Sequence, residues 1–343
     1  MLNTLIPAER IRAVEIALLK AFNTTEVTEV ILLNGGLSSA AVYKIVVAEQ
    51  ACVLKLDSPS VHENIISSME IAANADLAPA VYYLNKTDGI TITRFITGMP
   101  MQSVFKSHNV LLSKLAKTIK SIHELPLFSK ENSLLHTVDG LIAAFKAAGT
   151  WSGLVFEECF AHYDLIRNHY PWEDTDKVSS HNDLNPNNMV FDGEKIWVID
   201  WDAAFLNDRY VDLAIMANFY VTTDEQENIF LESYFDRNSS DYNKARFFVM
   251  RQVCRLVYAI LMFKLADTTK PSDKEHDLAM EGVSLKAVKD QLGSGKINLG
   301  IYQGQLLFGK ALWNETLNSM RSERFNLSIE RLAEVHGLGL SSK

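Results

Sequence analysis

The chain has 343 residues, of which 48% are apolar and 22% charged, with a formal net charge of −9. That composition builds a globular core and excludes a disordered or fibrous chain, and the acidic balance argues against general nucleic-acid binding, which needs a basic face. Three widely separated cysteines (Cys52, Cys159, Cys254), with no Cys-x-x-Cys pair, argue against a disulfide framework or zinc site and for a reducing compartment.

Residues 8–23 have helical spacing, with Ile11, Val14, Leu18, Leu19 and Phe22 on one face. Glu9, Arg10, Arg12 and Glu15 interrupt the apolar run, so this is not read as a secretory leader. The period then changes. TEVILLNGG, AVYKIVV and ACVLKL read as strands, with a tight connection at Glu49-Gln50. A helix is expected over 60–75, stopped by Pro79, and VYYLN and GITITRFI read as a further strand pair. Residues 1–96 therefore form a small β-rich lobe, joined by a hinge near 95–101 to a helical lobe over 97–343. There, 109–124, 136–148 and 153–169 are amphipathic, and most of the chain from Asp212 onward reads as helix. The most apolar later stretch, Leu256–Phe263, is too short to span a bilayer. The expectation is a soluble, cytoplasmic protein of the α+β class with no membrane or nucleic-acid partner.

The stretch SSHNDLNPNNMVFDGEKIWVIDWD, 179–202, concentrates three acids and an asparagine around a short hairpin. Strands at Met189–Phe191 and Ile196–Ile199, with a turn opened by Asp192-Gly193, would pair Phe191 with Ile196. Asn188 then lies opposite Ile199, and Asp200 is its neighbour at roughly 5–8 Å. An amide oxygen and a carboxylate at one hairpin mouth are hard ligands of the kind Mg²⁺ takes. Asp183, five residues earlier, is placed to act as a base toward a hydroxyl nucleophile. The order base, amide, hairpin, carboxylate is that of a phosphotransferase catalytic loop.

These residues carry a resemblance. His181-Asn182-Asp183-Leu184-x-x-x-Asn188, followed by Ile199-Asp200-Trp201-Asp202, resembles the choline kinase/aminoglycoside phosphotransferase superfamily, and IDWDAAFLNDRYVDLA looks most like bacterial choline kinases of the lipopolysaccharide-modifying type. The resemblance implies a bilobal, protein-kinase-like fold. It implies Asp183 as catalytic base, Asn188 and Asp200 as Mg²⁺ ligands, and His181 as a structural support of the loop. Asp212 is expected as a helix cap or buried hydrogen-bonding residue.

The turn Asn34–Ser39 resembles the phosphate loop of that superfamily and puts Gly36, Ser38 and Ser39 on the nucleotide. No GxxxxGK[ST] occurs, which excludes a P-loop nucleotidase. Lys55 falls where the superfamily's phosphate-binding lysine falls, with Glu63 or Glu70 as its ion-pair partner, Glu63 favoured. Arg94, Phe95 and Ile96 fall in the strand and hinge whose backbone would meet adenine. Leu115–Pro126 resembles the first helix of the large lobe, with His123 a packed core residue.

Too little chain separates Asp200 from the helical pattern of NDRYVDLAIMANFY for a protein-kinase activation segment, so the expected acceptor is a small molecule. The cofactors implied are Mg²⁺ and ATP, with GTP as the alternative, and a homodimer stays open. Asp202 is open between ligand contact and an ion pair with a base such as Arg209. A cationic, choline- or ethanolamine-like acceptor would use acids and an aromatic cage, for which Trp201, Tyr220 and Tyr258 are candidates. Aminoglycosides, sugars or amino alcohols are the alternative acceptors, and a non-catalytic nucleotide-binding protein is the remote one. Choline kinases commonly carry an aromatic at the position of Ala203.

Overall fold

The computed structural model describes residues 2–33, 40–59, 67–173 and 176–335. They fall into two compact units, neither continuous in sequence. The first comprises 1–108, 124–129 and 186–204; the second comprises 109–123, 130–185 and 205–343.

The first unit is built on an antiparallel sheet of β1 (Val27–Leu32), β2 (Ala41–Val47), β3 (Gln50–Leu56), β4 (Val81–Asn85) and β5 (Ile90–Arg94), ordered β1-β2-β3-β5-β4. Strand alternation explains its core. Tyr43, Ile45 and Val47 of β2, Cys52, Leu54 and Leu56 of β3, and Ile90 and Ile92 of β5 share one face and are buried. Val14, Ala17 and Leu18 of the Ala8–Phe22 helix complete that cluster. Leu19, expected on the buried face, is exposed, and Ala17 takes its place. The β2–β3 turn is Ala48-Glu49, one residue earlier than expected; both residues have positive φ, as a two-residue hairpin with matching twist requires.

The hairpin of β7 (Met189–Phe191) and β8 (Ile196–Val198) has the expected register, with Phe191 opposite Ile196. It belongs to the first unit, tied to it by Met99 N–H on the Phe191 carbonyl (2.7 Å) and Val198 N–H on the Leu77 carbonyl (2.9 Å). Asp192 closes its turn by accepting from the Glu194 and Lys195 backbone N–H groups at 2.9 Å each. With the Lys195 amide first and the Trp197 indole N–H next, these donors hold the Asp192 carboxyl at about 2.

The second unit is mainly helical. Its long Asp241–Thr269 helix runs beside the Arg209–Tyr220 and Tyr302–Met320 helices, and Phe145, Phe156, Phe263 and Trp313 form an aromatic core. It also holds a two-stranded ladder absent from the sequence reading: β6 (Lys177–Ser180) pairs antiparallel with β9 (Phe205–Asp208). These four-residue strands lie 25 or more residues apart and carry little alternation, so no local pattern announces them. The ladder matters because β6 leads directly into His181-Asn182-Asp183.

No helix among the described residues is long and apolar enough to cross a membrane.

Candidate active site

In the first unit, the site is an acidic hairpin end facing one lysine. Lys55 lies between Leu54 and Leu56, which are buried, so strand alternation turns it to the opposite face of the sheet. There its ammonium pairs with Asp202, with Asp200 Oδ1 at 3.4 Å and with Asp57 Oδ2 at 3.7 Å. Burial alone would lower the Lys55 pKa; the hydrogen bond to Asp202 and the charges of all three acids outweigh it and raise it. Burial and the other two carboxylates raise Asp57 in turn, against the pull of Lys55.

The partner of Asp202 is therefore Lys55; Arg209 pairs instead with Asp176. The geometry also differs from the extended segment expected over 200–202. Asp200 has φ 62° and ψ 66°, and Trp201–Ala203 forms a short 3₁₀ turn, so the turn brings both carboxylates round to the same ammonium. A non-glycine residue in the left-handed region is uncommon and tolerated best by Asn and Asp.

Asn188 is buried at the start of β7, and its carbonyl accepts the Ile199 N–H at 3.0 Å. That single bond extends the hairpin ladder by one step and fixes Asn188 beside the residue preceding Asp200. An amide oxygen and a carboxylate are hard ligands of the kind a divalent cation such as Mg²⁺ takes.

Of the other residues expected on the nucleotide, Gly36, Ser38, Ser39 and Glu63 lie outside the described residues. Glu70 closes a capping box with Ser67, accepting from the Ser67 N–H at 3.0 Å, and so serves its own helix. The Arg94 and Phe95 N–H groups donate to the carbonyls of Ala80 and Ala51, while Ile96 is buried. Arg94 spreads its guanidinium over the Trp197 ring, 5.1 Å from the centroid.

In the second unit, Asp183 Oδ1 accepts the Tyr258 hydroxyl at 2.6 Å and the Asn185 amide at 3.1 Å. Burial and the Asp183 charge drive the Tyr258 pKa well above its ordinary value, so this phenol is a donor and never a base. Tyr258 was expected against the acceptor; the structure sets its hydroxyl on Asp183.

Asp212 is fully buried and holds the loop in place. Its Oδ2 accepts from Ser180 Oγ and the His181 N–H, both at 2.8 Å, and its Oδ1 accepts from the Asn182 N–H at 2.7 Å. His123 Nε2 lies 3.0 Å from Oδ2, and His123 Nδ1 2.7 Å from the Tyr234 hydroxyl. A carboxylate can only accept, so His123 donates through Nε2. The helix cap expected at Asp212 is instead Asp208, which accepts from the Tyr210 N–H; Asp212 has the buried role. His181 is also buried, and its Nδ1 receives the Asp183 N–H at 3.3 Å. Asn182 adopts φ 65°, the bend that lets two successive amides converge on one carboxylate.

Two of the aromatic residues expected at the acceptor are buried. Trp201 is buried, with its ring against Phe128 and its indole N–H on the Val198 carbonyl at 3.0 Å. Tyr220 is buried near the end of its helix. Asp57 and Asn185 were missed. Asp57 could have been found, since it lies two residues beyond Lys55 and so on its side of the strand.

The fold is α+β and kinase-like, and the family match makes its class that of the phosphotransferases. The chain belongs to the phosphotransferase enzyme family, whose profile matches residues 29–248. It is 24% identical over 165 residues to a LicA protein homolog of Metamycoplasma hominis, covering 48% of this chain and 63% of that one. The matched stretches span from 15% to 63% of the curated relatives' own lengths. Among solved structures, a choline/ethanolamine kinase family protein from Mesorhizobium loti superposes with a TM-score of 0.64 at 14% identity, covering 95% of this chain and 99% of that one. A spectinomycin phosphotransferase in complex with ADP and spectinomycin superposes with a TM-score of 0.51 at 18% identity, covering 73% and 88%.

Proposed function

We propose that the protein is a kinase of a small hydroxylated molecule that transfers the terminal phosphoryl group of ATP. The observation that carries this reading is the hairpin mouth. The Ile199 N–H on the Asn188 carbonyl sets an amide beside the left-handed Asp200, and Lys55 reaches the same acids from β3. Asn188 and Asp200 would hold Mg²⁺, which when bound neutralises charge on the nucleotide phosphates. Lys55 supplies a second positive charge at those phosphates. Asp183 accepts the proton of the acceptor hydroxyl as that oxygen attacks phosphorus and the bridging oxygen departs with ADP. The Tyr258 hydroxyl and the Asn185 amide, both donating to Oδ1, fix the carboxylate for that role.

The likeness to a solved structure holding ADP and spectinomycin supports both the nucleotide and a small acceptor. A quaternary ammonium acceptor gains no support from Trp201 or Tyr220, which are packed away.

The test is nucleotide binding followed by melting temperature, with and without Mg²⁺. ATP should stabilise the wild type more with Mg²⁺ than without it. Asp200→Asn should lose the Mg²⁺-dependent part and keep the rest, because one charged ion ligand is gone while Lys55 remains. Lys55→Met should lose most of the ATP shift under both conditions. An identical Mg²⁺ response in Asp200→Asn and the wild type would remove Asp200 as an ion ligand.

A further inference from the structure

The long Asp241–Thr269 helix carries Arg251, Arg255 and Tyr258 at spacings of four and three, hence along one face. Arg255 and Tyr258 line a small cavity within the second unit, together with Phe219, Cys254, Lys289 and Phe308. The same Tyr258 donates its hydroxyl to Asp183. One tyrosine thus separates the proposed base from a cavity walled by two cations.

The three cations of this region differ in their partners. Arg251 has Glu227 Oε2 at 3.5 Å and the Asn218 amide oxygen at 3.1 Å. Arg255 is buried, yet its Nη1 meets only neutral oxygens, Gln252 Oε1 at 2.8 Å and Ser319 Oγ at 3.3 Å. Its Nε has no hydrogen-bond partner among the described residues. Lys289 donates to the Asn218 carbonyl at 2.8 Å and sits 5.7 Å from the centre of the Phe219 ring. Neither Arg255 nor Lys289 has a carboxylate within ion-pair distance among the described residues. Burial, then the charges of Arg255 and Arg251, lower the Lys289 pKa, although Glu315 opposes them. Glu315 also acts on Arg255 but makes no ion pair with it, and a buried guanidinium with no paired carboxylate and an unpartnered nitrogen is costly.

We propose that Arg255 and Lys289 recognise an anionic group on the acceptor, a carboxylate or a phosphate, whose hydroxyl is presented to Asp183. The inference rests on the phosphotransferase reading of Asp183 and narrows its acceptor class. The cavity measures about 20 Å³, room for about one oxygen-sized group. It therefore takes the tip of the anion while the remainder of the acceptor lies outside. The same two cations repel a choline-like head and disfavour an aminoglycoside. Arg suits a planar carboxylate or a phosphate through its forked donors, and Lys adds a compact charge.

The test has two arms on the full chain. In the first, calorimetry without nucleotide measures binding of glycerate, glycerol 3-phosphate, inorganic phosphate, glycerol and choline to the wild type and to Lys289→Gln. Lys289 is half-buried, so its replacement spares the core. The wild type should bind at least one carboxylate or phosphate probe, with glycerol and choline silent. Lys289→Gln should weaken that binding about tenfold, as loss of a charge-assisted contact does. Glycerate against glycerol 3-phosphate separates the two anion classes. Silence of every anionic probe, binding of choline, or equal affinity in Lys289→Gln overturns the proposal. In the second arm, ADP release with ATP and Mg²⁺ should show a KM for the bound acceptor raised about tenfold in Lys289→Gln, with kcat little changed. Anion binding without any turnover would leave the cavity's role standing and sink the phosphotransfer reading instead.

Discussion

Asp183→Asn is expected to lower kcat by about 10²–10⁴ while nucleotide affinity and melting temperature stay close to wild type. The substitution is nearly isosteric. Tyr258 and Asn185 both donate to Oδ1, and an amide oxygen in that position accepts from both, so the loop keeps its local bonds. What disappears is the negative charge and the capacity to take a proton. Because the residue belongs to the second unit and Lys55, Asn188 and Asp200, the proposed nucleotide and Mg²⁺ groups, to the first, binding and turnover should separate cleanly. The check is single-turnover ADP formation beside ATP titration by calorimetry. A kcat within about fivefold of wild type would show that the acceptor proton leaves without a protein base, a smaller effect than general-base catalysis gives. Tyr258→Phe gives a graded comparison. It removes one donor to the carboxylate and leaves the base, so its loss should be smaller than that of Asp183→Asn.

The hairpin and the place of Asn188 near Asp200 could be read from the sequence because everything that places them is local. Asp192-Gly193 sets the turn, the turn sets the register, and the register puts Asn188 opposite Ile199. The strands of the first unit were equally legible, since β2 and β3 alternate buried and half-buried residues along their length. The contact of Lys55 with Asp202 was not. A glutamate on the following helix and the acids of 200–202 both lie within reach of a lysine. Choosing between them needs the turn at Asp200, whose positive φ no periodicity reveals. Arg255 and Lys289 were invisible for a related reason. Each looks like an ordinary helix-surface cation in sequence, and only the packing of four helices turns them toward one cavity. The surroundings of Trp201 were not legible either. Trp201 follows Asp200 directly, but the short 3₁₀ turn sends its ring to Phe128.

Asp212→Ala is expected to cost about 3–5 kcal/mol of stability in the second unit, as loss of one partner of a buried charged network does. The carboxylate has no exposure and serves four donors: His123 Nε2, Ser180 Oγ and the backbone N–H groups of His181 and Asn182. Alanine leaves two of these as buried main-chain donors, each costing about 1–3 kcal/mol when unsatisfied. Asp212→Asn should cost less but still destabilise, because its amino group would face a donor. The pH dependence follows from the same contacts. Burial alone would raise the Asp212 pKa, yet the His123 bond, the charges of His123 and His181 and the backbone N–H of His181 lower it overall. A carboxyl depressed in the folded state stabilises fully above its unfolded pKa of about 3.9, and that contribution is lost as pH falls through the lower folded value. The stability gap between wild type and Asp212→Asn should therefore be flat near neutrality and shrink only in acid. Urea unfolding at several pH values measures it, read as a shift in midpoint at constant slope. Because the two backbone bonds immediately precede Asp183, Asp212→Asn should also lower kcat at temperatures where the protein remains folded. A variant that lost stability but kept full turnover would show that the 181–183 loop holds its shape without this anchor.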